Sequence, residues 1–190
     1  MGFQFFLSSI LLGIGLAMDA CAVSMANGMK EAKMSWKKCL IISFLFGFFQ
    51  AAMPMIGYFV GHAFLSYIEK FIPWIALFLL GFLGGKMLWE NRKNKIEEQE
   101  AQKLTWKVIL MQAIATSIDA LSVGVTFADY TVEMALVAVV MIAIVTFAIC
   151  VGATQIGKKF GTLFGRAAGW IGGIILIGIG LEIFISGMFF

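Results

Sequence analysis

Six stretches of this sequence are each apolar over a length that crosses a lipid bilayer, roughly residues 4–27, 39–64, 72–90, 107–128, 133–157 and 166–188. A segment in hydrocarbon must satisfy its backbone N–H and C=O groups internally. The period-two alternation of a barrel strand is absent here, so helices are expected. With 61% of its 190 residues hydrophobic and 13% charged, the chain cannot cover a soluble domain with polar surface. Nothing is left over for a soluble catalytic domain. The expected fold is all-α and integral to the membrane, six transmembrane helices forming a single domain over residues 1–190.

The N-terminal run has no basic segment before it and continues through Asp19 towards Asn27. That is too long for a signal-peptide core, and a retained first span is expected. Cys21, Cys39 and Cys150 show no CxxC spacing and read as packing residues. The single His62 cannot form a histidine-based metal site by itself.

Charge distribution sets an expected orientation. Lys30, Lys33, Lys37 and Lys38 follow span one; Arg92, Lys93, Lys95, Lys103 and Lys107 lie between spans three and four; Lys158, Lys159 and Arg166 lie between five and six. Twelve of the fourteen Lys and Arg residues therefore share one side, with Lys70 opposite and Lys86 inside span three. The positive-inside rule makes that side cytoplasmic and both termini external. The connection at 91–106 carries the run NRKNKIEEQEAQK. It reads as a solvated cytoplasmic linker and, without His or Cys, not as a metal-scavenging loop.

The two halves of the chain resemble each other. Ala17-Met18-Asp19-Ala20-Cys21-Ala22-Val23-Ser24 corresponds to Ser117-Ile118-Asp119-Ala120-Leu121-Ser122-Val123-Gly124, at an offset of 119 − 19 = 100. Further on the offset becomes 96, pairing Gly61 with Gly157, Trp74 with Trp170 and Gly84 with Gly180. Repeat one then covers 1–90 and repeat two 107–190. Three spans per repeat is an odd number, so the second repeat must enter from the opposite face. Inverted repeats of this kind recur in secondary transporters, with the binding site near the bilayer midplane. Gly57 and Gly61, Gly81 and Gly85, and Gly169 and Gly173 are each four apart and are expected to serve helix packing.

Asp19 and Asp119 are the principal candidates for function. An aspartate at the centre of a membrane helix costs on the order of 3 kcal/mol on insertion scales, and such residues usually face a pathway. Placed at equivalent points of inverted repeats, the two should approach each other and together neutralise one divalent cation. Thr116 and Ser122 lie three residues either side of Asp119, which on a continuous helix places them on its face. Asn27 lies two turns beyond Asp19, and Gly15, Ala22 and Ala26 leave room on that face. In span two, Pro54 has no N–H to offer the carbonyl of Gln50, so both oxygens of Gln50 are candidate ligands. Pro54 also reads simply as a kink. Thr146 stands at the position equivalent to Gln50. Lys86 and Glu182 are repeat-equivalent and opposite in sign. Each lies beyond the midplane on its own side, so their depths differ by about 10 Å at 1.5 Å per residue. Lys86 is expected to snorkel to the cytoplasm or to pair with a carboxylate near the site. Carboxylate, amide, hydroxyl and carbonyl oxygens suit manganese, magnesium or calcium, whereas the thiolate and imidazole clusters that suit zinc or copper are absent from the spacing.

The two aspartate segments, the GFFQAAMPMIG stretch of span two and the FLGGKML stretch of span three resemble the manganese efflux pump (MntP) family. The resemblance runs over nearly the whole chain. It implies an exporter of the bacterial cytoplasmic membrane with Mn2+ as transported substrate and no cofactor, within a wider superfamily related to lysine exporters. Asp19 and Asp119 match that family's intramembrane aspartates; Gln50 stands where some members have glutamate, which leaves one fewer carboxylate here. No Walker A motif is present, so secondary transport is expected. Proton antiport follows as an expectation, because two carboxylates left without their cation need another positive charge. The partners expected are a divalent metal ion and the lipid bilayer, with no nucleic acid; a homo-oligomer is possible but not indicated. Three alternatives stay open. They are export of another divalent cation or small cationic metabolite, a non-transporting membrane protein of a related sporulation branch, and an intramembrane aspartyl protease. The protease also needs two facing aspartates, but the GxGD context is missing.

Overall fold

Every regular element among the described residues is a helix, the outcome that backbone satisfaction in an apolar medium demands. The computed structural model describes residues 2–68, 74, 77–78, 80–82, 84–85, 88–89, 104–127, 130–164 and 166–189. Helices α1 (Phe3–Lys30), α2 (Trp36–Ile68), α3 (Trp106–Ala115), α4 (Ala120–Thr126), α5 (Val132–Phe164) and α6 (Arg166–Phe189) follow in chain order. The described positions between 74 and 89 are also helical, within the expected third span. Lys70, Lys86 and the 91–103 run lie outside the described residues.

Four helical segments are long and apolar enough to cross a membrane: Phe3–Lys30, Trp36–Val60, Trp106–Thr126 and Val132–Leu163. The third comprises α3 and α4, and there the structure departs from the continuous span expected over 107–128. The polypeptide leaves the α-helix at Thr116 and resumes it at Ala120. Through the break, i→i−3 bonds replace the usual ladder. Ser117 N–H donates to Ile114 O at 3.1 Å, Ala120 N–H to Ser117 O at 3.2 Å, and Ser122 N–H to Asp119 O at 3.1 Å. Hydroxyls cap the first half: Thr116 Oγ1 donates to Gln112 O at 2.9 Å and Ser117 Oγ to Ala113 O at 2.7 Å. Serine and threonine offer the backbone such alternatives to helical pairing, and two of them in succession mark the break.

The outer faces are apolar. Phe3, Leu7, Leu11, Ile14 and Met18 of α1 are exposed, as are Ile41, Phe44, Phe48 and Phe59 of α2 and Leu136, Val140 and Ile144 of α5. The buried set, by contrast, includes Ser24, Asn27, Ser43, Gln50, Gln112, Thr116, Ser117, Thr146 and Thr154. Large apolar side chains outside and polar ones inside suit a lipid surround and an internal polar region.

The first helix of each half packs on the second helix of the other: α1 runs along α5, and α4 lies on α2; α2 also meets α5, and α6 covers α1. Glycine permits these approaches. A Cβ on Gly124 would collide with the backbone of Pro54, and one on Gly57 with the carbonyl of Leu121. Likewise a Cβ on Gly157 would strike the backbone of Met25, and one on Gly28 the carbonyl of Thr154. Where α2 meets α5, a Cβ on Gly47 would fall 2.8 Å from Ala143 O. Backbone-to-backbone contact of this kind is the small-residue mode of membrane helix packing.

Candidate functional site

The break between α3 and α4 places Asp119 at the N-terminal edge of α4, half-buried, with its Oδ1 lacking a hydrogen-bond partner. Asp19, in the middle of α1 and also half-buried, lies close enough for the two carboxylates to repel each other. Glu182 of α6 adds a further negative charge within reach of Asp19, although its own side chain is exposed. Its expected opposite number, Lys86, lies outside the described residues.

Gln50 is fully buried on α2. Its Nε2 donates to the carbonyl of Leu16 on α1 at 2.7 Å, and its Oε1 has no partner. The amide is thereby held with its oxygen free, one turn from Asp19 along the sequence of α1. Pro54 follows one turn later inside α2 and is buried. Thr146 of α5 is fully buried with an unpartnered Oγ1. Ser43, two turns before Gln50, is in the same condition. Sequence reasoning missed Ser43, because an isolated serine in an apolar run gives no signal of its own.

Thr116 is buried and Ser122 half-buried. The expectation that both share Asp119's face assumed an uninterrupted helix, and the break removes that assumption. Thr116 belongs to the turn and Ser122 to α4. Asn27 is committed elsewhere in this conformation. Its Nδ2 donates to Gln112 Oε1 at 2.8 Å while Gln112 Nε2 donates to Asn27 Oδ1 at 3.0 Å, both residues buried. Gln112 too was missed by sequence reasoning, although a glutamine within an apolar span is a legible signal. This reciprocal pair fastens α1 to α3. Removing either amide strands the other at a cost of about 1–3 kcal/mol. Asn27→Ala and Gln112→Ala should therefore each lower the melting temperature in detergent, and the double variant should lose much less than the sum. Additive losses would show that the pair is not a unit.

Towards the Lys30 end of α1 a second tie joins the turn after α1, the first turn of α2 and the residues before α3. Glu31 Oε2 accepts from Lys38 Nζ at 2.6 Å and from Leu104 N–H at 2.8 Å, and Lys38 Nζ also donates to Leu104 O at 3.0 Å. Lys158 Nζ donates to Met34 O at 2.8 Å. At the other end, Tyr58 Oη donates to Tyr130 O at 2.9 Å, and the rings of Phe127 and Tyr130 stack at 5.0 Å.

Among the described residues no three His, Cys, Asp or Glu side chains gather as a metal cluster. The expected donors, two carboxylates with neutral oxygens from amide and hydroxyl groups, are of the kind that a hard cation takes. A family model described as "Putative manganese efflux pump" matches residues 33–184. The chain belongs to the manganese efflux pump (MntP) family. Three MntP relatives, each named "Putative manganese efflux pump MntP", show how far the likeness extends. The protein from Ruminiclostridium cellulolyticum is 46% identical over 95% of this chain and 96% of its own. That from Clostridium botulinum is 45% identical over 94% of each chain, and that from Campylobacter hominis 43% identical over 93% and 96%. No solved structure matches the chain.

Proposed function

We propose that this protein is a secondary exporter of Mn2+ from the cytoplasm, holding the cation between Asp19 and Asp119 near the middle of the membrane. The observation that carries the reading is Asp119 itself, a carboxylate with an unpartnered oxygen at a helix break in an apolar protein, within electrostatic reach of a second carboxylate. Discontinuous helices recur at transporter ion sites, since a break frees backbone groups from the ladder. The names of the MntP relatives supply manganese. The free Oε1 of Gln50 and the hydroxyls of Thr116 and Ser122 are the proposed neutral ligands, and Thr146 completes the polar lining.

The six spans form two inverted repeats, a reading supported by the crossed packing of α1 on α5 and α4 on α2. With the basic loops cytoplasmic and both termini external, the protein sits in the bacterial cytoplasmic membrane. When the cation leaves, two neighbouring carboxylates retain two negative charges in a poorly hydrated place. Protons entering from outside replace the cation, and the exchange is an antiport.

Cells making the protein should tolerate excess manganese and hold less of it, with little protection from zinc or copper. Elemental analysis of cells with and without the protein decides this; protection against copper alone rejects the oxygen-ligand site. In the same assay Gln50→Ala should impair resistance more than Phe48→Ala, whose side chain is exposed. For orientation, single cysteines at Asn94 and Thr131 in a background lacking Cys21, Cys39 and Cys150 should react with impermeant reagent from opposite sides, Asn94 from the cytoplasm. External labelling of Asn94 would overturn the inverted-repeat reading as well.

A further inference from the structure

Ser43 has no place in the site described above, yet its hydroxyl is fully buried without a partner. Most serines in membrane helices return the proton to a carbonyl one turn back, as Ser9 does to Phe5 at 2.8 Å and Thr154 does to Cys150 at 2.8 Å. Ser43 does not. Buried polar groups without a protein partner are satisfied by water or an ion. Ser43 lies seven residues from Gln50, which is two turns on the same face, and seven from Trp36 at the start of α2. It therefore stands about 10 Å below Gln50 and about 10 Å above the end of the helix. The stripe continues to Cys39, whose Sγ accepts from Gln155 Nε2 at 3.4 Å. On the neighbouring helix, Ser24 is buried between Asp19 and Asn27. Polar side chains thus continue from the aspartates towards the basic end of the molecule.

That path ends at two ties. Beyond Ser24 along α1 comes the Asn27–Gln112 amide pair, which joins α1 to α3, and then the Glu31–Lys38–Leu104 cluster, which joins the turn after α1 to the first turn of α2 and the residues before α3. We propose that Ser43 and Ser24 line a hydrated route by which a divalent cation reaches the aspartates from the cytoplasm. The Asn27–Gln112 pair is its gate, shut in this conformation. The inference rests on the proposed export reading and adds its inner pathway and gate.

Thiol chemistry tests it, because a thiol reacts as the thiolate, which forms in water and not in packed or lipid-facing apolar surroundings. Ser43→Cys and, as a second probe, Ser24→Cys are made in the cysteine-free protein and treated with a small cationic methanethiosulfonate in inside-out vesicles. Both should be labelled from the cytoplasmic face. Mn2+ at ten times its half-saturating concentration should slow labelling about tenfold. Adding Asn27→Ala should speed labelling about tenfold, the scale of a lost pair of hydrogen bonds. Ile41→Cys, on the exposed face of α2, should stay unlabelled. Lys159→Cys, exposed near the end of α5, reports orientation independently. If Lys159→Cys reacts from the cytoplasm while both serine probes stay inert, with and without Asn27→Ala, the route is overturned and the export reading is untouched. Labelling that ignores both Mn2+ and Asn27→Ala overturns the gate and the route's role in transport.

Discussion

Purified protein carrying Asp119→Asn or Asp19→Asn should bind Mn2+ about 100- to 4,000-fold more weakly than the unaltered protein. Removing one partner from a buried charge constellation costs about 3–5 kcal/mol, which converts to that range at 1.4 kcal/mol per decade. Asparagine keeps the shape and one carbonyl oxygen, so the loss isolates charge. Asp119 is expected to show the larger effect, because its Oδ1 is buried without a hydrogen-bond partner. Glu133→Gln, at an exposed carboxylate in the first turn of α5, should leave affinity unchanged. Titration followed by the electron paramagnetic resonance of free Mn2+ reads all three variants. Equal affinity in Asp119→Asn and Glu133→Gln would remove Asp119 from the site.

Gly124→Val should be the most damaging packing change. The atoms that a Cβ would meet belong to the carbonyl and Cα of Pro54, and backbone on a proline turn cannot rotate away as a side chain does. Overpacking typically costs about 1–3 kcal/mol and occasionally more; with backbone as the obstacle, the upper end or a failure to accumulate in the membrane is expected. Gly15→Ala and Gly152→Ala meet nothing within 4 Å. They should be neutral or gain up to about 1 kcal/mol, since alanine loses less backbone entropy than glycine in a helix. Melting in detergent with all three variants measures the contrast. A Gly124→Val protein as stable as Gly15→Ala would mean that α2 and α4 do not approach as described.

Apolar periods and lengths made the helices legible. The expected spans 4–27, 39–64, 133–157 and 166–188 lie within α1, α2, α5 and α6, because hydrocarbon thickness fixes how much apolar sequence a helix needs. The ends run longer in the structure, since helices extend past the membrane where no apolar signal marks them. The interruption at Thr116–Asp119 was not legible. Helix periodicity carries through a four-residue break almost unchanged, and only the adjacent Thr116 and Ser117 hydroxyls hinted at it. Asp19, Asp119 and Gln50 stood out because charge and amide are rare in apolar runs. What each amide bonds to depends on partners far away in sequence. Gln50 reaches Leu16, 34 residues back, and Asn27 meets Gln112, 85 residues on. No local pattern specifies such pairs. Ser43 is the sharpest case, since its significance lies in a missing partner and only the folded packing reveals that.

The most direct test of the account is flux in reconstituted vesicles that enclose a pH-sensitive dye, with an imposed Mn2+ gradient. The unaltered protein should move Mn2+ down its gradient with protons moving in the opposite direction. The Asp19→Asn/Asp119→Asn double variant, present in the membrane at equal amount, should move neither. Manganese flux without proton counter-movement would reject the antiport and leave the site standing. Undiminished flux in the double variant would contradict the central claim that these two carboxylates carry the cation.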